Sequence, residues 1–161
     1  MEESITANEF DFASAVKQAF SLEKQDIKSY SPLTLAYLGD AVYELVVRTM
    51  LVEKANMQVN KLHQKASSHV KASAQKDMIF AVLDLLTEEE RSVYKRGRNA
   101  KSFTSAKNAT IGDYRIATGF EALIGYLYLL GKTDRILELV KVGMECRESN
   151  KALEKKAVES E

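Results

Sequence analysis

Residues 35–44 read LAYLGDAVYE, and between Pro32 and Tyr43 the one acid or base is Asp40. Ser31-Pro32 just ahead is a helix start, with serine as N-cap and proline at the first helical position. The spacing of Leu35, Leu38, Val42, Leu45, Val46 and Thr49 predicts a helix over 32–54 with those residues as its core stripe. Gly39 in its interior costs about 1 kcal/mol relative to alanine. A close approach by another helix or a ligand would explain it. Residues 116–130, IATGFEALIGYLYLL, repeat the arrangement with Glu121 as the lone charge and Gly131 as a natural stop.

Working outward, a helix is expected over 59–73, another over 74–86, and a third opened by a capping box at Thr87-Glu-Glu-Glu90 and closing near Arg96-Gly97. The stretch RGRNAKSFTSAKNATIGD has no apolar period and reads as a long ordered loop, which in a small domain is usually functional. Helices over 113–130 and from 133 to about 147 follow, with a short one possible over 10–20. One proline, seven glycines and no convincing strand make the fold all-α. We expect an N-terminal extension over 1–29, a folded domain over 30–146, and a charged, fraying tail over 147–161.

A length of 161 residues suits one domain with its own core. The lone Cys146 excludes an internal disulfide scaffold and fits a reducing compartment. The acidic N-terminus lacks the apolar core of a secretory signal, and the longest apolar run, 122–130, is too short to span a bilayer. A cytoplasmic protein without a membrane partner is the expectation. The net charge of zero hides a segregation. Residues 54–76 hold five lysines and two histidines without an acid, and 91–107 hold six basic residues, again without one. Such blocks are either solvated helix faces or the footprint of a polyanion, and charge alone does not choose.

An isolated carboxylate on an apolar helix is costly to bury unless a cation meets it. For either acid singly, pairing with an arginine such as Arg48 or Arg115 is the plainer reading. The pair together, beside basic surface, favours a divalent metal, and two carboxylates with waters suit Mg²⁺. Bound Mg²⁺ acidifies a water and offsets charge developing on a phosphodiester, so nuclease chemistry fits. His63 and His69, six apart, make a poor metal pair and read as surface or RNA-facing residues. Cys146 reads as a packing residue, and Tyr126 and Tyr128 as core or dimer interface.

LAYLGDAVYE resembles the signature helix of the ribonuclease III family, and GFEALIGYLYL resembles that family's second motif. RGRNAKS, Lys107-Asn108 and YRIATGFEALIGYLYLL are most similar to its short branch, Mini-ribonuclease III, which lacks a double-stranded-RNA-binding domain. The resemblance covers about 30–145, with several motifs in order at compatible spacing. It implies a ribonuclease III-like helical bundle acting as a homodimeric, Mg²⁺-dependent, double-strand-specific endoribonuclease that matures large-subunit (23S) ribosomal RNA precursor ends. Asp40 and Glu121 match the catalytic, metal-holding acids. Larger members carry a further glutamate where this chain has Ala36 and an aspartate where it has Thr118, which leaves the number of metal ions and the part played by Glu44 open.

For RNA contact we expect the loop over 96–107. Arg96, Arg98, Lys101 and Lys107 would meet phosphates, and Asn99 or Ser102 phosphate or 2′-OH groups. Lys65, Ser68 and Lys71 are secondary candidates. The rival from another class is a non-catalytic duplex-RNA-binding or assembly module on a nuclease scaffold, which Ala36 and Thr118 favour. A protein-interaction domain with merely solubilising basic blocks is weaker.

Overall fold

Ser31 accepts from the Thr34 N–H and Pro32 opens a 23-residue helix, Pro32–Lys54, as its sequence predicts. The computed structural model describes residues 11–101 and 110–160, and among these there are helices and no strand. Numbering along the chain, α1 is Phe12–Ala19, α2 Pro32–Lys54, α3 Val59–Val70, α4 Ala72–Val82, α5 Glu88–Asn99, α6 Ile111–Leu129 and α7 Thr133–Glu159. Short 3₁₀ turns lie at Ile27–Ser29 and Leu83–Leu85. No helix of the described residues is long and apolar enough to cross a membrane.

The α2–α6 pair forms the most extensive helix contact and α5–α6 the next, so α6 is the central strut. It buries Phe120, Leu123, Ile124 and Leu127 among Tyr43, Val47, Met78, Ile79 and Leu139. Tyr43 meets Phe120 edge-on at 5.1 Å between ring centroids. Its hydroxyl donates to the His69 carbonyl at 2.9 Å, tying α2 to α3. The glycines at the α2–α6 crossing set the distance between the helices. A Cβ on Gly39 would strike the Glu121 carbonyl, and one on Gly125 the Leu35 carbonyl. Backbone therefore lies on backbone there, and the penalty for a mid-helix glycine is what permits the contact.

Three expectations change. On α2 the buried side is Leu35, Ala36, Gly39, Tyr43, Val47 and Leu51, while Leu45 is 60% exposed and Thr49 also faces solvent. The glycine crossing, rather than the largest aliphatics, chooses the face that turns inward. Gly97 does not end α5, which continues to Asn99. That glycine sits in the helix because a Cβ there would meet Ala122 Cβ at 2.7 Å and Gly119 Cα at 2.9 Å. Arg96, Arg98 and Asn99 are thus helical rather than in a loop. Finally α7 runs past 147 to Glu159. Arg147, far from being its frayed end, is buried, 3.7 Å from Asp77, with its guanidinium at 3.5 Å from the Ser68 carbonyl. The capping box at Thr87 forms as expected, and its glutamate, Glu90, is then bound by Arg135 at 2.8 Å. That pair pins α5 to α7.

Candidate active site

Asp40 follows Gly39 on α2, and Glu121 is the residue whose carbonyl Gly39 rests against. The crossing thereby brings the two acids, remote in sequence, into one another's field. Glu121 is half-buried, and its carboxyl is pushed up to about 7, first by burial and then by the Asp40 charge, with a hydrogen bond from Gln75 acting the other way. Asp40 lies at the solvent edge and is raised as well, by partial burial and then by Glu44. Each acid is held near negative charge that it has not escaped.

Arginine does not relieve this. Arg48 pairs with Glu44 at 3.2 Å, one turn along α2 from Asp40. Arg115 is exposed, and among the described residues neither Asp40 nor Glu121 forms an ion pair within 4.0 Å. Nor do the described residues hold a group of three or more acidic, histidine or cysteine side chains suited to a metal. Ala36 is buried and offers no ligand, and Thr118 Oγ1 donates to the Tyr114 carbonyl at 2.9 Å. Among the described residues, Asp40 and Glu121 are the two carboxylates that the crossing brings together without a cationic partner.

That donor set fits a hard, hydrated cation. Oxygen ligands with raised proton affinity are relieved when a cation takes the proton's place. Mg²⁺ keeps several waters and needs few carboxylates. A further feature supports the fit. Gln75, 2% exposed, carries a buried amide oxygen with no partner among the described residues. Such an acceptor suits the outward-facing protons of metal-bound water.

Sequence reasoning missed Gln75. It lies in the first turn of α4, and its Nε2 donates to Glu121 Oε1 at 3.1 Å and to the Val70 carbonyl at 2.8 Å. Nothing in its neighbourhood in the chain points to an acid on another helix. His69, expected at the surface or facing RNA, has a half-buried ring whose Nδ1 is enclosed with no hydrogen-bond partner among the described residues. Burial and nearby Arg147, Lys151 and Lys54 hold its pKa low.

The basic candidates divide. Arg91, Lys95, Arg96 and Asn99 line a groove of about 840 Å³ with Pro32, Ser92, Ala100 and one acid, Glu88, where α5 passes the start of α2. Lys95, Arg96, Asn99 and Lys101 are exposed. Arg98 is engaged instead, over the Tyr94 ring at 5.6 Å and donating to Asn99 Oδ1 at 3.2 Å. Because Gly97 packs on Thr118, Gly119 and Ala122 of α6, this basic end adjoins the turns that flank Glu121. Lys65 and Lys71 are exposed, on α3 and at the α3–α4 junction. Ser102 and Lys107 lie outside the described residues.

Comparison with known proteins bears on the family of the chain and on its fold. Residues 33–132 match the model of the Ribonuclease III domain. The chain is 56% identical over 120 residues to a Mini-ribonuclease 3 of Clostridium tetani, covering 74% of this chain and 80% of that protein. A Mini-ribonuclease 3 of Brevibacillus brevis is 55% identical over 111 residues, covering 69% and 83% respectively. A crystal structure of a Fusobacterium nucleatum protein superposes with a TM-score of 0.68 at 32% identity, spanning 76% of this chain and 98% of the other.

Proposed function

The chain belongs to the ribonuclease III domain family and is an endoribonuclease, and on that premise we propose that it cuts both strands of duplex RNA with Mg²⁺ held by Asp40 and Glu121. The observation that carries the reading is the meeting of these acids at the Gly39–Gly125 crossing, with Glu121 raised to about 7 and no cationic side chain of the described residues paired to either. When bound there, Mg²⁺ would acidify a water for attack on phosphorus and offset charge on the leaving oxygen. The chain's own part is placement. Glu121 is immobilised on the central helix, Asp40 stands at the solvent edge where a phosphate arrives, and Glu44 is diverted to Arg48.

Lys95, Arg96, Asn99 and Lys101 on α5 and just beyond would hold the phosphate backbone, with Arg98, Lys65 and Lys71 as secondary contacts and Ser102 and Lys107 as further candidates. Contacts of this kind read shape more than sequence. An exposed apolar line along α2, from Leu33 and Tyr37 through Ala41 to Leu45 and Val52, supports a homodimer. It flanks Asp40, so a second copy seated on it would set two sites side by side, one for each strand. The natural substrate we infer is a large-subunit (23S) ribosomal RNA precursor in the cytoplasm. That inference rests on the family resemblance. Extended 23S termini on depletion would test it.

The direct experiment is cleavage of a long RNA duplex by the wild type with Mg²⁺, with EDTA, and by Asp40→Asn and Glu121→Gln. Cleavage with Mg²⁺ alone, lost in both variants, is the expected result. Equal activity in all arms rejects the mechanism, and tight duplex binding without metal-dependent cleavage decides for a binding module. Light scattering should give a dimer mass, and Tyr37→Lys with Leu45→Lys should halve it.

A further inference from the structure

We propose that Gln75 is a positioning residue for Glu121, fixing one carboxylate oxygen so that the other is presented toward Asp40 and the cation. The proposal rests on the nuclease reading for its consequence, though the contact itself is independent of it.

An amide can present either its oxygen or its nitrogen, and the two faces differ in what they bind. Here the surroundings choose. The Val70 carbonyl, the last of α3, can only accept, so at 2.8 Å it must face Nε2. The second N–H of the same nitrogen then points at Glu121 Oε1, 3.1 Å away. Flipping the amide would set its oxygen against both a carbonyl and a carboxylate. Gln75 is 2% exposed and packed at the start of α4 beside Ala74, also buried, so its orientation is locked by enclosure as well as by bonding. Glu121 is thereby anchored through one oxygen, leaving Oε2 free of that bond.

The other acid has no such anchor. No side-chain hydrogen bond to Asp40 is present among the described residues, and it stands at the surface. One fixed and one adjustable carboxylate is a workable arrangement for a cation that must accept a phosphate oxygen and release it. The fixed member requires a donor that is itself fixed, and partners of this kind commonly change metal affinity or activity by roughly 10–100-fold when removed. The simpler role for Gln75 is to cap the end of α3 through Val70. That role would affect stability without distinguishing between metal binding and RNA binding.

The test compares wild type with Gln75→Leu, which keeps the volume and removes the donors, and Gln75→Asn, which keeps the amide but cannot span both partners. Mn²⁺ affinity by electron paramagnetic resonance, duplex binding in EDTA, and kcat and KM in Mg²⁺ are measured. Weakening of Mn²⁺ binding by fivefold or more, a fall of about 10-fold or more in kcat, and KM and EDTA-state RNA affinity within twofold support positioning. Unchanged Mn²⁺ affinity, or losses shared equally by metal and RNA binding, overturns it. Should the wild type neither bind Mn²⁺ nor cut duplex, the nuclease reading fails on its own. The contact is then decided by the Gln75 side-chain amide resonance. A shift of that signal on Glu121→Gln supports the positioning contact, and no shift overturns it.

Discussion

The α2–α6 crossing and the basic end of α5 are neighbours on α6, yet they are built on opposite principles. At the crossing, Gly39 and Gly125 let backbone touch backbone, and the acids ride on helices that cannot slide apart without losing core. At the end of α5, Lys95, Arg96 and Lys101 are exposed, and each can swing to meet a phosphate. Chemistry on a phosphodiester tolerates little misplacement of its metal ligands. Phosphate contacts sum loosely over many positions. On the proposed assignment of the cation to the acids and of RNA to the end of α5, rigidity lies where geometry decides the rate and freedom where charge alone is enough.

The contrast is sharpest for the acids themselves. Asp40→Asn or Glu121→Gln should lower duplex cleavage by roughly 10³-fold or more, about 4 kcal/mol of barrier, while urea melts remain cooperative. If Arg96→Ala costs as much, the division between the two regions fails.

The crossing comes next. Gly39→Ala should cost about 3 kcal/mol or more in a urea titration, because the new Cβ strikes the Glu121 backbone rather than a pliable side chain. Gly112→Ala is the control, since among the described residues nothing lies within 4 Å of a Cβ there. It should be neutral or gain up to about 1 kcal/mol. Equal losses at both positions would remove the glycines from the explanation.

Smaller, and specific to the metal-free protein, is a pH effect. The unfolded chain loses the Glu121 proton near its ordinary 4.5 and the fold keeps it to about 7. Glu121 therefore favours the fold fully below about 4.5, and that contribution fades as pH rises through about 7. In EDTA at pH 8, Glu121→Gln should be more stable than wild type by on the order of 2 kcal/mol, or roughly 5 °C in melting temperature. At pH 4 the difference should vanish. A constant difference across pH would mean that Glu121 is not raised.

Smallest are the single basic residues. Arg96→Ala or Lys95→Ala should weaken duplex binding only several-fold at moderate salt and reduce the slope of log affinity against log salt by about 1. A change in binding with no change in slope would place that residue outside the phosphate footprint.

Much of this was legible in the chain. Ser31-Pro32 and the Thr87–Glu90 box announce helix starts by bonds that close within three residues, so local sequence was enough to place them. The lone charges at Asp40 and Glu121 marked themselves, because an isolated carboxylate in an apolar run has no local partner to explain it. The glycine at 39 signalled a close approach, though not by what.

Which face of α2 turns inward, that Gly97 lies inside a helix, and that Arg147 is buried were decided only by packing. A glycine reads the same as a helix stop or as a seat for another helix, and only the partner, Gly119 or Ala122 in the case of Gly97, distinguishes them. Gln75 lay beyond the reach of pattern for the same reason. Its meaning is a hydrogen bond to a residue on another helix, and periodicity records what a segment does to itself. The sequence determined the helices, their caps and the two solitary acids, since those follow from short-range bonding and the cost of buried charge. The tertiary structure decided which acid is held still, because that depends on three helices arriving at one point.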